Sequence, residues 1–194
     1  MNRATTRYAG VVTTIMAAGL MAGCALFDTR DPEPPIVVGG TYLQPDTPEQ
    51  VVANLISAVG ELNTLNYRRS FSDEFVFQPT ASAEASSPIW NGWGVTNEEQ
   101  YFSALAAAGR FGSNHRLLLT DENPTPVSDR LSIVDSNYEL TVNHSRPEIP
   151  TSVEGQLRWE IEQGTDGLWR LAAWTDREVS SASSWSDLKA EFVD

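Results

Sequence analysis

The chain has 194 residues, 41% hydrophobic and 20% charged, which is the balance of one globular domain with an extension rather than of a disordered chain. Twenty-six acids against 13 bases leave a net charge of −13, which argues against a nucleic-acid partner, because binding phosphates needs a basic face. A single cysteine excludes an internal disulfide framework and a cysteine-rich zinc site.

Arg3 and Arg7 make a short basic start, and no residue from Ala9 to Gly23 is charged. Basic, then apolar, then small is the order of a secretory signal, and the apolar run is shorter than the ~20 residues a spanning helix needs. The cysteine falls where such a signal ends, in Leu20-Met21-Ala22-Gly23-Cys24. This segment resembles a bacterial lipobox, in which a small residue precedes a cysteine that is lipidated on sulfur and becomes the new N-terminus. Met21 is a mild departure from the leucine usual there. The resemblance implies a signal peptide over 1–23, a lipid on Cys24 and residence in the bacterial cell envelope. The same resemblance implies that Ala25 after the cysteine, rather than Asp, favours the outer membrane in a Gram-negative cell. Cleavage removes Arg3 and Arg7 and no acid, leaving 11 bases against 26 acids, so the membrane contact would come from the lipid alone.

Residues 24–46 read as the lipidated cysteine and a tether. Asp31-Pro32-Glu33-Pro34-Pro35 cannot be helical, because proline lacks the N–H and restricts the residue before it. Pro-rich chain extends by ~3.1 Å per residue and holds a domain away from the lipid surface. Ile36-Val37-Val38 is a candidate short strand.

The folded domain spans 47–194. Thr47-Pro48-Glu49-Gln50 is a helix start, followed by Val51, Val52, Leu55, Ile56, Val59 and Leu62 at helical spacing. Asn63 caps a second short helix, and a strand Glu74–Gln78 is closed by Pro79. Residues 80–95 read as a loop rich in small residues that carries Trp90 and Trp93. Thr96-Asn97-Glu98-Glu99 opens a third helix ending near Gly109. The period then becomes two, predicting strands over 115–121, 131–143, 152–163 and 168–176. Val153, Leu157, Trp159 and Ile161 share one face of the third of these, and Gly164-Thr165-Asp166-Gly167 is a hairpin turn. Trp174 breaks the alternation of the last strand and marks a bulge. Ser184 caps a final short helix with Trp185, Leu188 and Phe192. Helices followed by one-sided strands make an α+β domain, with helices over one sheet face and the other face left for water or a partner.

Thr47-Pro48-Glu49, Tyr67, Phe71, Asp73-Glu74-Phe75-Val76-Phe77, Trp169-Arg170-Leu171, Trp174, Asp176 and the tail Ser184–Lys189 resemble, in their order, the NTF2-like (SnoaL-like) superfamily over about 47–192. The nearest resemblance is to bacterial lipoproteins of that superfamily without an assigned activity. It implies a cone of helices packed on a strongly curved antiparallel sheet, with an apolar pocket inside. Phe77, Trp90, Trp93, Tyr101, Tyr138 and Trp159 are the candidate lining of that pocket; plain core is the favoured alternative for the strand aromatics, whereas Trp90 and Trp93, in a loop where no regular core demands them, are also candidates for a pocket lid or a partner contact.

The ketosteroid isomerase branch of the superfamily places a carboxylate base before a proline at the end of the first strand and a tyrosine in helix one. Here Gln78 precedes Pro79, and the tyrosine's place falls near Asn54 or Leu55. An amide cannot take and return a proton, so that mechanism is not expected. Asp121, Asp135, Glu139 and Glu160 are read as surface acids, and Ser82, Ser86 and Ser87 lack a nucleophile elbow. His115 and His144 lack metal-ligand spacing, and no phosphate-binding glycine loop is present, so neither a metal nor a cofactor is expected. The sequence therefore points to an envelope-anchored binding or accessory module that holds a small apolar ligand or pairs with a second copy through the sheet face. The rivals are a SnoaL-type lyase or isomerase and a purely structural lipoprotein. An open cone with a carboxylate would favour the enzyme, and a cone packed shut would favour the structural reading.

Overall fold

The computed structural model describes residues 40–110, 112–179 and 181–193. The signal peptide, Cys24 and the tether as far as residue 39, with the Ile36–Val38 strand, lie outside the described residues.

Helix α1 (Pro48–Glu61) starts where the Thr47 N–H donates to Gln50 Oε1 at 2.9 Å, and it buries Val51, Val52, Leu55, Ala58 and Val59 along one stripe. Asn54 sits on that stripe. It donates to the Leu43 carbonyl and accepts from the Leu43 N–H, both at 2.7 Å, which pins residues 41–45 along the helix. Of the two residues near which the isomerase branch would hold its tyrosine, Asn54 is thus a backbone clamp and Leu55 is core. Helix α2 (Thr64–Arg69) is capped by Asn63, whose side chain accepts from the Asn66 N–H.

Strand β1 (Phe71–Gln78) begins three residues earlier than the sequence pattern suggests. The predicted loop after it is ordered instead into α3 (Ala81–Ser86) and a 3₁₀ turn, Pro88–Trp90. Thr80 and Ser87 start these two turns by accepting from the Ala83 and Ile89 N–H groups. Helix α4 (Val95–Ala108) follows and buries Glu98, Tyr101, Phe102 and Leu105.

Strands β2 (Arg116–Leu119), β3 (Thr125–Ser128), β4 (Leu131–Thr141), β5 (Ser152–Gln163) and β6 (Trp169–Arg177) complete a sheet ordered β1-β6-β5-β4-β2, with β3 on β4. β4, β5 and β6 form an antiparallel meander, but β1 pairs with β6 in parallel. The sheet is therefore mixed rather than antiparallel throughout. A parallel pair requires a long connection, and here everything from Pro79 to Leu168 lies between the partners. The bulge in β6 is present: Leu171 faces Ile161 and Ala173 faces Glu160, so Ala172 is the extra residue. It shifts the inward parity from Trp169 and Leu171 to Trp174 and Asp176.

α1 packs on β2, β5 and β6, and α4 packs on β1. The last helix, α5 (Trp185–Ala190), packs against β5 and α3. Ser184 starts it: its N–H and hydroxyl both donate to Asp187 Oδ2, at 2.8 and 2.9 Å. Trp185, Leu188 and Phe192 are buried by this segment, at roughly 1.5–3 kcal/mol for each large apolar side chain removed from water. Among the described residues no helix is long and apolar enough to cross a membrane.

Candidate functional site

Among the described residues three charged side chains lie inside the domain: Glu98 on α4, Asp176 on β6 and Lys189 on α5. Lys189 is the only lysine in the sequence, and its exposure is 0%. Its ammonium donates to Glu98 Oε2 at 2.7 Å. It also lies 3.5 Å from the ring centroid of Phe77 and 3.8 Å from that of Trp174, with Tyr101 and Trp93 at 5.6 and 5.8 Å. Aromatic faces are negative, so this ring of π-systems offsets part of the lost hydration of the cation. The offset is incomplete, and burial pulls the Lys189 pKa down to about 8 against the opposing pull of Glu98.

Glu98 accepts two further hydrogen bonds, from the Tyr67 hydroxyl at 2.6 Å and the Trp93 indole N–H at 2.8 Å. Three donors converge on one carboxylate, which is what a buried anion requires. Asp176 is satisfied in the same way. It accepts from the Tyr138 hydroxyl at 2.8 Å, the Ser186 N–H at 2.8 Å and the Ser186 hydroxyl at 2.6 Å. Burial raises the Asp176 pKa above the usual carboxylate value, and these hydrogen bonds oppose the rise. Burial likewise holds the Tyr67, Tyr101 and Tyr138 hydroxyls protonated, reinforced by the nearby carboxylates.

Trp185 ties the two polar centres together. Its backbone N–H donates to the Tyr138 hydroxyl at 2.7 Å, and its indole N–H donates to the Tyr101 hydroxyl at 2.9 Å. Its ring meets Trp174 edge to face at 4.5 Å. Tyr138 reaches Asp176 by lying across Gly155 of the intervening strand. A β-carbon at Gly155 would stand 2.5 Å from the Tyr138 hydroxyl oxygen, so only glycine fits there.

The six candidate residues from the sequence are all buried and all meet around this network. Phe77, Trp90 and Trp93 are mutual neighbours at centroid distances of 4.7–5.9 Å. Tyr101 and Tyr138 hold Trp185, and Trp159 meets Trp174 at 5.7 Å. Trp90 is fixed by its indole N–H, which donates to the Ala83 carbonyl at 2.9 Å. The two loop tryptophans are therefore packed into the interior rather than held over it. Neither of two open surface cavities, one of about 1340 Å³ beside β1 and β6 and one of about 410 Å³ beside β4 and β5, is lined by any of the six.

The other sequence candidates lie apart from this network, and His144 alone among them is buried. Gln78 is exposed and donates to Glu84. Asp135 and Glu160 pair with Arg158, and Glu139 pairs with Arg116. Asp121 is exposed, and hydrogen bonds from Asn123 lower its pKa. His115 accepts from the Asn143 N–H, and His144 is buried against Phe192 with its Nε2 at the Pro150 carbonyl. Ser82 bonds Glu178, and Ser86 bonds the Ala83 carbonyl. Among the described residues no group of acids, histidines or cysteines could hold a metal ion.

Sequence reasoning missed Glu98, Asp176 and Lys189, although each stands in a legible register. Glu98 lies on the same helical stripe as Tyr101, Phe102 and Leu105. Lys189 follows Trp185 by four residues and precedes Phe192 by three. Asp176 has the inward parity once the bulge has shifted it.

Compared with models of known protein families and with curated proteins, the sequence matches none. Solved structures do resemble it. A candidate aromatic ring hydroxylase from Novosphingobium aromaticivorans is 15% identical, covers 72% of this chain and 91% of its own, and has a TM-score of 0.52. An NTF2-like superfamily protein from Salmonella enterica is 12% identical over 69% of this chain and 90% of its own, with a TM-score of 0.51. An NTF2-like protein from Cytophaga hutchinsonii is 11% identical over 66% and 93%, with a TM-score of 0.50. At these identities the likeness speaks for architecture alone, and the architecture of this chain is the NTF2-like α+β fold.

Proposed function

We propose that this chain is a lipid-anchored, extracytoplasmic NTF2-like module that works by interaction rather than by turnover. The observation that carries this reading is the fully buried Lys189 ammonium, 2.7 Å from Glu98: the cone is occupied by the chain's own C-terminal helix. A catalytic carboxylate needs an open approach to a substrate C–H. Glu98 and Asp176 instead face only protein donors, and a small apolar ligand would have to displace Trp185 and Lys189 to enter. The surfaces left for a partner, a second copy included, are the outward face of the sheet and the groove beside β1 and β6. Anchoring falls to Cys24, with the Pro-rich segment as spacer and the cell envelope, the outer membrane in a Gram-negative cell, as the address.

The test is mild detergent extraction of the full chain from membranes, followed by native mass spectrometry. The expected species is the protein with a diacyl adduct at Cys24 and no stoichiometric small molecule. A retained small molecule in the wild-type protein would overturn the closed-cone reading. A water-soluble, adduct-free chain would overturn the anchor.

A further inference from the structure

Lys189 raises a question that packing does not answer. A buried ion pair is expensive to desolvate, and an apolar side chain of similar length is often as stable or more so in its place. Yet the site around this ammonium has the composition of a cation receptor. Two aromatic faces, Phe77 and Trp174, lie within 4 Å of the charge; Tyr101 and Trp93 extend the wall, and Glu98 supplies a carboxylate held by two other donors. All of these receptor groups come from β1, α4, β6 and the segment before α4. None comes from α5. The groups that touch the ammonium and the cation itself therefore lie on different segments of the chain, although α5 also brings Trp185 against Trp174 and Tyr101. The cation arrives on a six-residue helix at the far end of the sequence, joined to β6 by residues 178–184, in which Glu178 accepts from the Ser82 hydroxyl and the Ser183 carbonyl accepts from the Glu154 N–H.

We infer that the cone of this protein is a binding site for a primary alkylammonium group, occupied in the resting chain by Lys189 as an intramolecular ligand. An amine from outside binds by taking the place of the Lys189 ammonium between Phe77, Trp174 and Glu98, with α5 withdrawn. The carboxylate selects for charge, the aromatic faces exclude water, and the direct contact with Glu98 requires an N–H, which favours a primary amine over a quaternary one. This goes beyond the non-catalytic reading given above and does not depend on the membrane anchor.

The test uses the full chain and n-propylammonium, which is the part of the lysine side chain that Lys189→Ala deletes. The variant is titrated with n-propylammonium chloride and, in parallel, with n-propanol and sodium chloride, with thermal unfolding and tryptophan fluorescence as readouts. The expected result is saturable recovery of the melting temperature by the amine at millimolar concentration, absent with the alcohol and the salt. Should the variant not fold alone, amine-dependent folding is the same result. In the wild type, amide hydrogen exchange over 185–193 is then measured at ten times the dissociation constant found for the variant. A ligand that binds only the open form accelerates exchange of the segment it displaces, and at least a threefold acceleration confined to α5 is expected. Recovery by n-propanol as good as by the amine, or no recovery, would mean the cage merely fills space. Unchanged exchange in the wild type would mean that α5 is a fixed element which no external amine replaces. Either outcome overturns the inference while leaving the proposed function untouched.

Discussion

Replacing Glu98 with glutamine removes one charge and almost no volume, and the structure sets what that should cost. Three donors point at the carboxylate: the Lys189 ammonium, the Tyr67 hydroxyl and the Trp93 indole N–H. An amide offers one acceptor oxygen and turns an N–H₂ toward at least one of those donors. Glu98 is the main group that holds the Lys189 pKa up against burial, so without it the side chain is either an uncompensated buried cation or gives up its proton, and both outcomes cost stability. Breaking a buried pair in this way typically costs about 3–5 kcal/mol, a large share of the ~5–15 kcal/mol that stabilises a whole domain. For a domain of this size each kcal/mol shifts the melting temperature by about 2–4 °C, so Glu98→Gln should melt roughly 6–20 °C below wild type. Adding Lys189→Met removes the stranded cation and should return at least half of the loss. The assay is urea and thermal denaturation of the wild type, both single variants and the double variant, read as a double-mutant cycle. A Glu98→Gln protein within about 1 kcal/mol of wild type, or a double variant no better than Glu98→Gln alone, would refute the buried pair.

Gly155→Ala should destabilise by about 1–3 kcal/mol, because the added carbon collides with the Tyr138 ring and with the Arg177 carbonyl at 2.8 Å; chemical denaturation measures it. Asn54→Ala removes both 2.7 Å bonds to the Leu43 backbone and should cost about 1–3 kcal/mol while raising hydrogen exchange at residues 41–45. The Lys189 pKa falls from 10.5 unfolded to about 8 folded, so between those values the unfolded chain binds more protons and stability rises with pH, by on the order of 3 kcal/mol across the window. Denaturation from pH 7.5 to 9.5, below the unfolded tyrosine pKa near 10 where the raised pKa values of Tyr67, Tyr101 and Tyr138 begin to act in the opposite direction, should show that rise in the wild type and lose it in Lys189→Met. Asp176 has the opposite sign: its folded pKa is raised, so its contribution falls as pH climbs from the unfolded value near 3.8 through the folded one. Asp176→Asn should flatten the acid limb of the same curve.

How much was legible follows from what each signal encodes. Alternation fixed β5 to its end residues, 152–163, because one face of that strand is core and the other is water. The Trp174 anomaly located the β6 bulge for the same reason. Alternation says nothing about which strands pair or in which direction, so the parallel β1–β6 contact, made across most of the chain, was not visible. The stretch Ala81–Trp90 reads as loop because its small and polar residues have no period. Its turns are held instead by the Thr80 and Ser87 side chains and by the Trp90 indole on the Ala83 carbonyl. Strand β3 is fully exposed and carries Pro126 on the sheet edge, so it has no apolar face to announce it.

The aromatic lining was legible and its polar centre was not. Rules that sort residues into inside and outside send Glu98, Asp176 and Lys189 to the surface, because a lone buried charge is prohibitive. They are inside because each finds its partner on another element: Glu98 from Lys189, ninety-one positions on, and Asp176 from Tyr138, thirty-eight positions back, and from Ser186 on the next helix. Composition cannot reveal such compensation, although the register of each residue places it on the buried face.

The claim that the cone is closed by the chain's own C-terminal helix is tested most directly by acylating Lys189. No other lysine exists in the sequence, so an amine-specific reagent at mildly alkaline pH, followed by peptide mapping of the segment that contains Lys189, reads this one site. The account predicts a side chain that stays unmodified in the folded protein and reacts fully in denaturant. Modification of the folded protein at the rate of a free lysine would place the ammonium in water and contradict the closed cone.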